Sequence, residues 1–314
     1  MAVFTPLDVQ EVGRFLAGFD LGELTDLQGI ASGIENTNYF VDTTRGRYVL
    51  TLFERLDAAQ LPFYLQLMHH LAGHAIPVPD PLADRDGRVL HELKGKPAAL
   101  VTRLRGRSEL QPTPAHCAQL GACLARMHLA AAVFTPQQPN LRGLAWQREL
   151  MPRLLPLLQP AQAALLRAEV AHQIALQAGP DYAALPRSAV HADLFRDNAL
   201  FEDGRLSGVF DWYFAGVDTW VFDLAVALND WCIELASGEF DAARHDALLD
   251  AYQKVRPLQP LECALLPDAL RAAALRFWVS RLADLHLPRD AQLLQPHDPT
   301  HFERVLRARA LQAA

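Results

Sequence analysis

The sequence predicts an α+β fold in which a small antiparallel β lobe precedes a larger, mostly helical lobe. Two observations predict this class. In the first third of the chain, short apolar segments alternate with turns that contain glycine, which is typical of antiparallel strands. In the rest, apolar residues recur at helical spacing and one short hairpin interrupts them. We therefore predict an N-terminal domain of residues 1–104 and a C-terminal domain of residues 105–314.

The N-terminal domain is predicted to be a sheet with one packed helix. Arg45-Gly46 and Asp86-Gly87 mark turns between strands, and a proline-rich segment at 77–81 ends the helix. A further helical pattern covers residues 7–19. The strands are predicted at 24–31, 38–43, 48–53, 88–92 and 97–103, and the packed helix at 61–73.

The C-terminal domain is predicted to consist of helices around one hairpin. Thr113-Pro114 is a good N-cap and first-turn pair, and Asp298-Pro299 opens the last helix. Asp203-Gly204 lies between two short apolar strands at 199–201 and 206–210, and an Asp-Gly pair is a strong signal for a two-residue hairpin. The helices are predicted at 113–131, 160–177, 219–235, 242–255, 261–285 and 299–313.

The composition limits the class of protein. With 314 residues, a net charge of -7 and a pI near 5.9, the chain lacks the basic footprint of a nucleic-acid-binding protein. No apolar run reaches the roughly 18 residues of a membrane helix, and the first residues have no basic segment of a secretion signal. The four cysteines form no CxxC pair, so we expect reduced thiols and a cytoplasmic protein without membrane or nucleic-acid partners.

One segment carries most of the chemical information. Residues 191–198 read His-Ala-Asp-Leu-Phe-Arg-Asp-Asn, and Asp211 follows thirteen residues after Asn198. A carboxylate, an amide and a second carboxylate in this order are typical of kinase-type phosphoryl-transfer enzymes. We predict that Asp193 orients or deprotonates an attacking hydroxyl. Asn198 and Asp211 are predicted to hold Mg²⁺ against the phosphates of ATP.

The hairpin gives that spacing a geometric reason. A two-residue turn at Asp203-Gly204 places Asn198 opposite Val209, with Asp211 as the diagonal neighbour on the same face. Diagonal neighbours lie roughly 7–8 Å apart at the backbone. One Mg²⁺ with ligand bonds of about 2.0–2.1 Å fits between two such side chains.

Two residues near this segment are predicted to support it, and a third is predicted to cap a helix. His191 is expected to hold the loop by hydrogen bonds, and Asp223 is expected to accept backbone N–H bonds from the same loop. Asp218 precedes the predicted helix at 219–235, so it is interpreted as an N-cap rather than as a metal ligand.

A glycine-containing segment in the N-terminal domain is a candidate phosphate-binding loop. Between two predicted strands, Gly33 allows close approach of the backbone to phosphates, and Ser32, Asn36 and Asn38 add side-chain donors. The alternative interpretation is an ordinary hairpin loop. Beside the downstream motif, we favour contact with the nucleotide.

The position of the kinase lysine is occupied by another residue. A protein kinase has a lysine on its third strand, paired with a helix glutamate. Here Thr51 stands on that strand, Lys94 is the first lysine of the chain, and segment 61–73 has no acidic residue. Phosphate charge would then be met by metal, by backbone amides, or by an arginine such as Arg55 or Arg103. Segment 100–104, which contains Val101, lies between the lobes and is predicted to receive the adenine.

Two further segments are candidates for binding the phosphate acceptor. Arg276 and Arg281 share a predicted helix with Asp284, and an arginine binds a carboxylate through two parallel hydrogen bonds. The alternative is an ion pair between Arg281 and Asp284 within the helix. Asp230 offers an acceptor for a substrate ammonium group.

At this point the motifs support a family resemblance. The chain resembles the homoserine kinases of the aminoglycoside-phosphotransferase-like type, over nearly its whole length. The resemblance is carried by residues 32–40, 48–54, 191–198, 228–232, 276–282 and 297–299.

The resemblance implies a bilobal kinase-like fold and Mg²⁺-dependent use of ATP. It implies transfer of the γ-phosphate to the hydroxyl of L-homoserine, which gives O-phospho-L-homoserine in threonine biosynthesis. It also implies that threonine is tolerated in place of the strand lysine. The oligomeric state stays open.

Three other functions remain as alternatives. The same fold could phosphorylate an aminoglycoside, choline or another small alcohol, and an acidic acceptor pocket would favour a polycationic drug. The missing lysine suits a nucleotide-binding pseudokinase. A metallohydrolase built on the His-x-Asp motif is disfavoured, because the sequence has no further cluster of His and Asp.

Overall fold

The fold consists of two compact units. The structure, a computed structural model, describes residues 4–30, 36–287 and 297–312, of which Gln312 is described by its backbone alone. One unit comprises Met1–Gly106 and Ser207–Phe210, and the other Arg107–Leu206 and Asp211–Ala314. Nothing in the sequence indicated that 207–210 groups with the first unit. It does so because the Val209 N–H donates to the Pro77 carbonyl at 2.7 Å.

The first unit is built on a five-stranded sheet in the order β1-β2-β3-β5-β4, in which all neighbouring strands are antiparallel. Its strands are β1 (Leu24–Gly29), β2 (Asn36–Thr43), β3 (Arg47–Phe53), β4 (His91–Leu93) and β5 (Lys96–Thr102). Its helices are α1 (Val9–Leu16) and α2 (Leu61–Gly73). Asp8 and Glu11 form a capping box at α1, so that helix starts later than the predicted residue 7.

The two faces of this sheet differ in character. Side chains alternate along each strand, so Tyr39, Val41, Leu50, Leu52 and Leu100 share one face. These residues are buried in a core that also contains Val12 and Leu16 of α1. Asn38 and Thr51 lie on the opposite face, which this core does not cover.

The second unit is mostly helical. Its helices are α3 (Pro114–Ala131), α4 (Leu144–Leu154), α5 (Pro160–Gln177), α6 (Pro180–Ala183), α7 (Trp220–Trp231), α8 (Ala242–Val255), α9 (Pro260–His286) and α10 (Thr300–Gln312). Its short strands are β6 (Arg107–Ser108), β7 (Arg187–Val190), β8 (Ala199–Glu202) and β10 (Gly216–Thr219). Strand β9 (Arg205–Val209) joins a three-stranded sheet in the order β6-β8-β9.

Helix α7 forms the interior of the second unit. Every residue from Trp220 to Trp231 is buried, and a helix that is apolar on all sides is typical of a protein core. Three polar residues nevertheless lie on it, Asp223, Asn229 and Asp230. Because buried polar groups need partners, these three identify where the helix holds neighbouring segments in place.

Most predicted elements are present, with a few differences. Helices α4 and α6 and the short strands β6, β7 and β10 were not predicted, and Pro152 disguises the helical pattern of α4. The predicted cap of α7 was wrong: the Thr219 hydroxyl accepts the Phe222 N–H, and Asp218 lies in β10. All four cysteines are free thiols. Among the described residues, none of the helices combines the length and apolar character that crossing a bilayer requires.

Candidate active site

The predicted motif lies between β7 and the hairpin that β8 and β9 form. Asp203 and Gly204 have φ values of 50° and 72°, which are those of a type I′ turn, so the predicted hairpin is confirmed. A single 3₁₀ turn, Arg196–Asn198, leads into β8. Asp211 follows β9 in the left-handed conformation, with φ 63° and ψ 60°, so the alternation of side chains along the strand does not extend to it.

Asp193 and Asn198 are in direct contact. The Asn198 amide nitrogen donates to the Asp193 carbonyl at 2.8 Å and to Asp193 Oδ2 at 3.3 Å. This assignment of the amide leaves its oxygen, Oδ1, as the group that can coordinate a cation. The two residues are therefore arranged so that one presents a carboxylate and the other an amide oxygen.

Arg276 of α9 lies against the same carboxylate. Its Nη2 atom is 3.4 Å from Asp193 Oδ1, and the Arg276 side chain is buried. The guanidinium carbon lies 3.7 Å from the centre of the Phe277 ring, which fixes its plane. An arginine predicted to bind a substrate is thus placed beside the predicted base, where its charge offsets that of the carboxylate.

Asp223 of α7 holds the loop before Asp193 through hydrogen bonds to its backbone. The Asp223 carboxylate accepts the His191 N–H at 3.1 Å and the Ala192 N–H at 2.7 Å. His128 Nε2 lies 3.1 Å from the same carboxylate. Burial alone raises the pKa of Asp223, but the hydrogen bonds, led by that from His128, lower it below its ordinary value. Asp223 is therefore a buried carboxylate that stays ionised under the loop.

His191 shapes the loop through its own ring. Its Nδ1 atom accepts the Asp193 N–H at 3.3 Å, and the ring packs 4.5 Å from that of Trp212. Ala192 lies between His191 and Asp193 in the chain and has φ 62°, a conformation that residues with a Cβ atom adopt rarely. The loop thus depends on the Asp223 hydrogen bonds to keep this strained turn.

The donors at Asn198 and Asp211 suit a hard cation. Both are oxygen ligands, and the Asp211 side chain is exposed. Mg²⁺ is usually held by one or two protein oxygens together with phosphates and water. No group of three or more His, Cys, Asp or Glu side chains arranged for a metal occurs in the part of the chain that the structure describes. A metal here would thus take most of its ligands from a nucleotide, so the donor set fits Mg²⁺ bound together with ATP.

The predicted nucleotide-binding residues of the first unit lie on one face of its sheet. Asn38 pairs with Thr51, and Thr51 with Ala99, so these side chains point to the face opposite α1. The Thr51 hydroxyl donates to Asn38 Oδ1 at 2.7 Å. By the same alternation, that face also carries Asn36, Val101 and Arg103. Ser32 and Gly33 lie outside the described residues.

Two basic residues of this unit have other partners. The Arg103 guanidinium stacks 3.7 Å from the centre of the Phe40 ring and lies 3.4 Å from Asp42 Oδ1. Lys96 pairs with Glu54, but the strand register places both on the face of α1. The Lys96 pair therefore does not replace the kinase lysine, which would stand on the Thr51 face.

The predicted ammonium site requires an accessible Asp230 carboxylate, but Arg196 already occupies this carboxylate. Its Oδ2 atom accepts the Arg196 N–H at 2.7 Å and Nε at 3.1 Å, and Arg196 also donates to the Leu110 carbonyl at 3.1 Å. Burial raises the pKa of Asp230, although Arg196 opposes the shift. Asp230 thus anchors the 3₁₀ turn that carries Asn198. Arg281, in turn, donates to the Asp298 carbonyl at 3.0 Å.

Replacing Asp230 by alanine tests that anchoring role. Breaking a buried ion pair costs about 3–5 kcal/mol of folding free energy, because the remaining charge stays buried without its partner. Both side chains are largely buried, at 9% and 11% exposure. We expect a loss of this size in urea unfolding, at an unchanged m-value. Asp197→Ala, which removes an exposed acid of the same turn, is the control and should change stability by less than about 0.5 kcal/mol. An equal effect of both variants would contradict the anchoring role.

A family model, relatives over nearly the full length and solved structures all match this chain. A model described as the phosphotransferase enzyme family matches residues 26–258. A homoserine kinase of Polaromonas naphthalenivorans is 60% identical over 309 residues, which cover 98% of both chains. A homoserine kinase of Cupriavidus necator is 59% identical, covering 98% of this chain and 96% of that one.

Solved structures support the fold. A spectinomycin phosphotransferase in complex with ADP and spectinomycin superposes with a TM-score of 0.72 at 13% identity, over 98% of this chain and 99% of that one. An amicoumacin kinase in complex with AMP-PNP and Ca²⁺ gives 0.70 at 18% identity, over 97% and 92%. Likeness at such low identity concerns the fold, and it confirms the predicted kinase-like α+β class.

Proposed function

Because the chain belongs to the phosphotransferase enzyme family and, within it, groups with the homoserine kinases, we propose that it phosphorylates L-homoserine with ATP. The γ-phosphate passes to the side-chain hydroxyl, and the products are O-phospho-L-homoserine and ADP, a step of threonine biosynthesis. The observation that carries this function is the 60% identity to a homoserine kinase over 98% of both chains. The contacts around Asp193 supply the groups that the reaction needs.

Asp193 is proposed as the catalytic base. As the homoserine oxygen attacks the γ-phosphorus, its O–H proton passes to the Asp193 carboxylate and the bond to the ADP oxygen breaks. Asn198 holds one carboxylate oxygen at 3.3 Å and Arg276 the other at 3.4 Å. A carboxylate fixed at both oxygens stays aimed in one direction, and such positioning is the main contribution a protein makes to phosphoryl transfer.

Asn198 and Asp211 are proposed to hold Mg²⁺. An ion held there would offset the negative charge that develops on the phosphoryl group during transfer. The Asn198 amide is fixed with its oxygen available, because its nitrogen donates to the Asp193 carbonyl at 2.8 Å. Asp211 supplies the carboxylate. In this proposal, Asn198 orients the metal ion through its amide oxygen, and Asp211 offsets part of the positive charge of the ion.

The nucleotide is proposed to meet the sheet face that carries Asn36, Asn38, Thr51 and Val101. The Thr51 hydroxyl is committed to Asn38 at 2.7 Å, so the pair presents a fixed polar patch instead of a lysine. Arg103 contributes to this face through its stacked guanidinium, although Asp42 already offsets its charge. Contact of Ser32 and Gly33 with the phosphates stays a prediction from the sequence.

Arg276 is proposed to bind the carboxylate of homoserine. Only a short carbon chain separates that carboxylate from the reacting hydroxyl, so its binding group must stand close to Asp193. The Arg276 guanidinium lies 3.4 Å from the Asp193 carboxylate, close enough to bind a substrate carboxylate beside it. Arg281 on the same helix is the second candidate. Asp230 is proposed to act through Arg196 instead of through the substrate ammonium.

The substrate can be tested directly by coupled ADP release. At saturating Mg²⁺·ATP, homoserine, serine, choline and kanamycin are compared by kcat/KM. Homoserine should exceed serine by on the order of 10-fold to 200-fold, because serine lacks one methylene and cannot bring its hydroxyl to the same place. Choline and kanamycin lack the carboxylate that Arg276 would bind, so they should react more slowly still.

Two results would overturn the proposed function. Faster turnover of kanamycin or choline would keep the fold and change the acceptor. ATP binding without turnover of any of the four alcohols would instead favour a pseudokinase. The cytoplasmic location and the absence of nucleic-acid and membrane partners stay predictions from the sequence.

A further inference from the structure

A continuous line of buried polar side chains runs from Asp223 to the start of α9. His128 Nε2 lies 3.1 Å from Asp223, and His128 Nδ1 lies 2.8 Å from the Tyr252 hydroxyl. Arg256 Nη1 donates to that hydroxyl at 3.5 Å, and both Arg256 terminal nitrogens donate to Glu262 at 2.7 and 2.6 Å. All five residues are buried, and they come from α3, α7, the end of α8 and the first turn of α9.

The hydrogen bonds of this line have one consistent direction. The ionised Asp223 can only accept, so His128 must carry its proton on Nε2, and its Nδ1 then accepts the Tyr252 O–H. The Tyr252 oxygen accepts from Arg256 in turn. Burial raises the pKa of Tyr252, so its proton stays in place. Burial alone would lower the pKa of Arg256, but the hydrogen bonds that Arg256 donates to Glu262 raise it. Donors and acceptors thus match at each contact of the line.

The other end of the line is the backbone of the catalytic loop. Asp223 accepts the N–H groups of His191 and Ala192, at 3.1 and 2.7 Å. Ala192 has a φ of 62°, so the loop needs these bonds to keep its turn. Asp193 is the next residue, and the direction of its carboxylate follows from that turn.

We infer that His128, Tyr252, Arg256 and Glu262 are positioning residues for the phosphoryl transfer. They act on Asp193 through Asp223 and the loop backbone, by holding the Asp223 oxygens toward the loop N–H groups. The inference rests on the proposed function for its kinetic prediction. A role only in global stability would leave kcat of the folded enzyme unchanged, whereas a positioning role lowers kcat and spares both KM values.

Tyr252→Phe is the mildest variant, because it removes one hydroxyl and keeps the ring. At a temperature where both proteins are fully folded, kcat for homoserine should fall roughly tenfold, with KM for homoserine and for Mg²⁺·ATP within about twofold. His128→Leu should cost more, and His128→Gln should recover part of the loss, since its amide nitrogen can still donate to Asp223. Tyr182→Phe makes the same chemical change outside the line and should leave kcat unchanged.

Hydrogen exchange supplies a readout that does not depend on the substrate. In Tyr252→Phe, the amides of 191–192 should exchange faster, while those of the other helices and strands keep their wild-type rates. Unchanged kcat together with unchanged exchange at 191–192 would overturn the inference. A uniform rise of exchange along the chain would overturn it too, because that marks global destabilisation. Failure of the wild type to phosphorylate homoserine would refute the proposed function and leave the exchange test decisive.

Discussion

Replacing Asp193 by alanine is expected to lower kcat for homoserine phosphorylation by about 10²- to 10⁴-fold, the usual contribution of a positioned base. Mg²⁺·ATP should bind with nearly unchanged affinity, because the phosphates are held by other groups. The reason lies in the geometry: both carboxylate oxygens of Asp193 are fixed, by Asn198 and by Arg276, toward one acceptor position. Coupled ADP release measures the first quantity and calorimetric titration of ATP the second.

Two further variants separate the roles of the Asp193 carboxylate. Asp193→Asn keeps the shape and removes the negative charge, so it should be nearly as inactive as Asp193→Ala. Asp197→Ala removes an exposed carboxylate four residues later and should retain near wild-type kcat. Near-normal turnover of Asp193→Asn would contradict the base assignment. A fall in ATP affinity as large as the fall in kcat would mean that Asp193 mainly organises the nucleotide site.

Loss of the Asp211 carboxylate is expected to weaken metal-dependent nucleotide binding. Asp211→Ala should reduce Mg²⁺·ATP affinity by roughly 10- to 100-fold, and kcat should fall with it, because one of two proposed protein ligands is gone. ATP binding in the presence of EDTA should stay the same. Titrations of ATP at several Mg²⁺ concentrations check both statements.

The backbone at Asp211 requires its own control, because φ is 63° there. Asp211→Gly removes the carboxylate and relieves the left-handed strain, whereas Asp211→Ala removes the carboxylate and keeps a Cβ atom. If the carboxylate is the metal ligand, the two variants should lose nucleotide affinity equally. Full affinity in Asp211→Gly would show that only the backbone conformation matters at this position.

The parts of the site that follow from local sequence could be predicted. The hairpin depends on Asp203 and Gly204, which adopt the left-handed pair of conformations that a two-residue turn needs. The fold class follows from strand-like and helical periodicity in two successive parts of the chain. The fold comparison confirms that class. The family resemblance rested on motifs spread along the chain, and the 60% identity to a homoserine kinase confirms it.

The parts that depend on long-range partners could not be predicted. Asp230 is held by Arg196, 34 residues away, so its motif suggested an open acceptor where the fold makes an ion pair. His128 reaches Asp223 across 95 residues, and a histidine near the end of a mostly apolar helix gives no sign of that contact. Arg103 meets Asp42 across the sheet, a pairing that only the strand register determines. These contacts decide which charges are available to a ligand.

In the proposed reaction, the phosphoryl group ends on the side-chain oxygen of homoserine. Phosphorus NMR of wild-type enzyme with ATP, Mg²⁺ and L-homoserine tests it most directly, because it identifies the product and its amount together. We expect one new phosphomonoester signal that grows in equal amount with ADP and is lost in Asp193→Ala. ADP accompanied only by inorganic phosphate would contradict transfer to homoserine, because it would mean that water accepts the phosphoryl group.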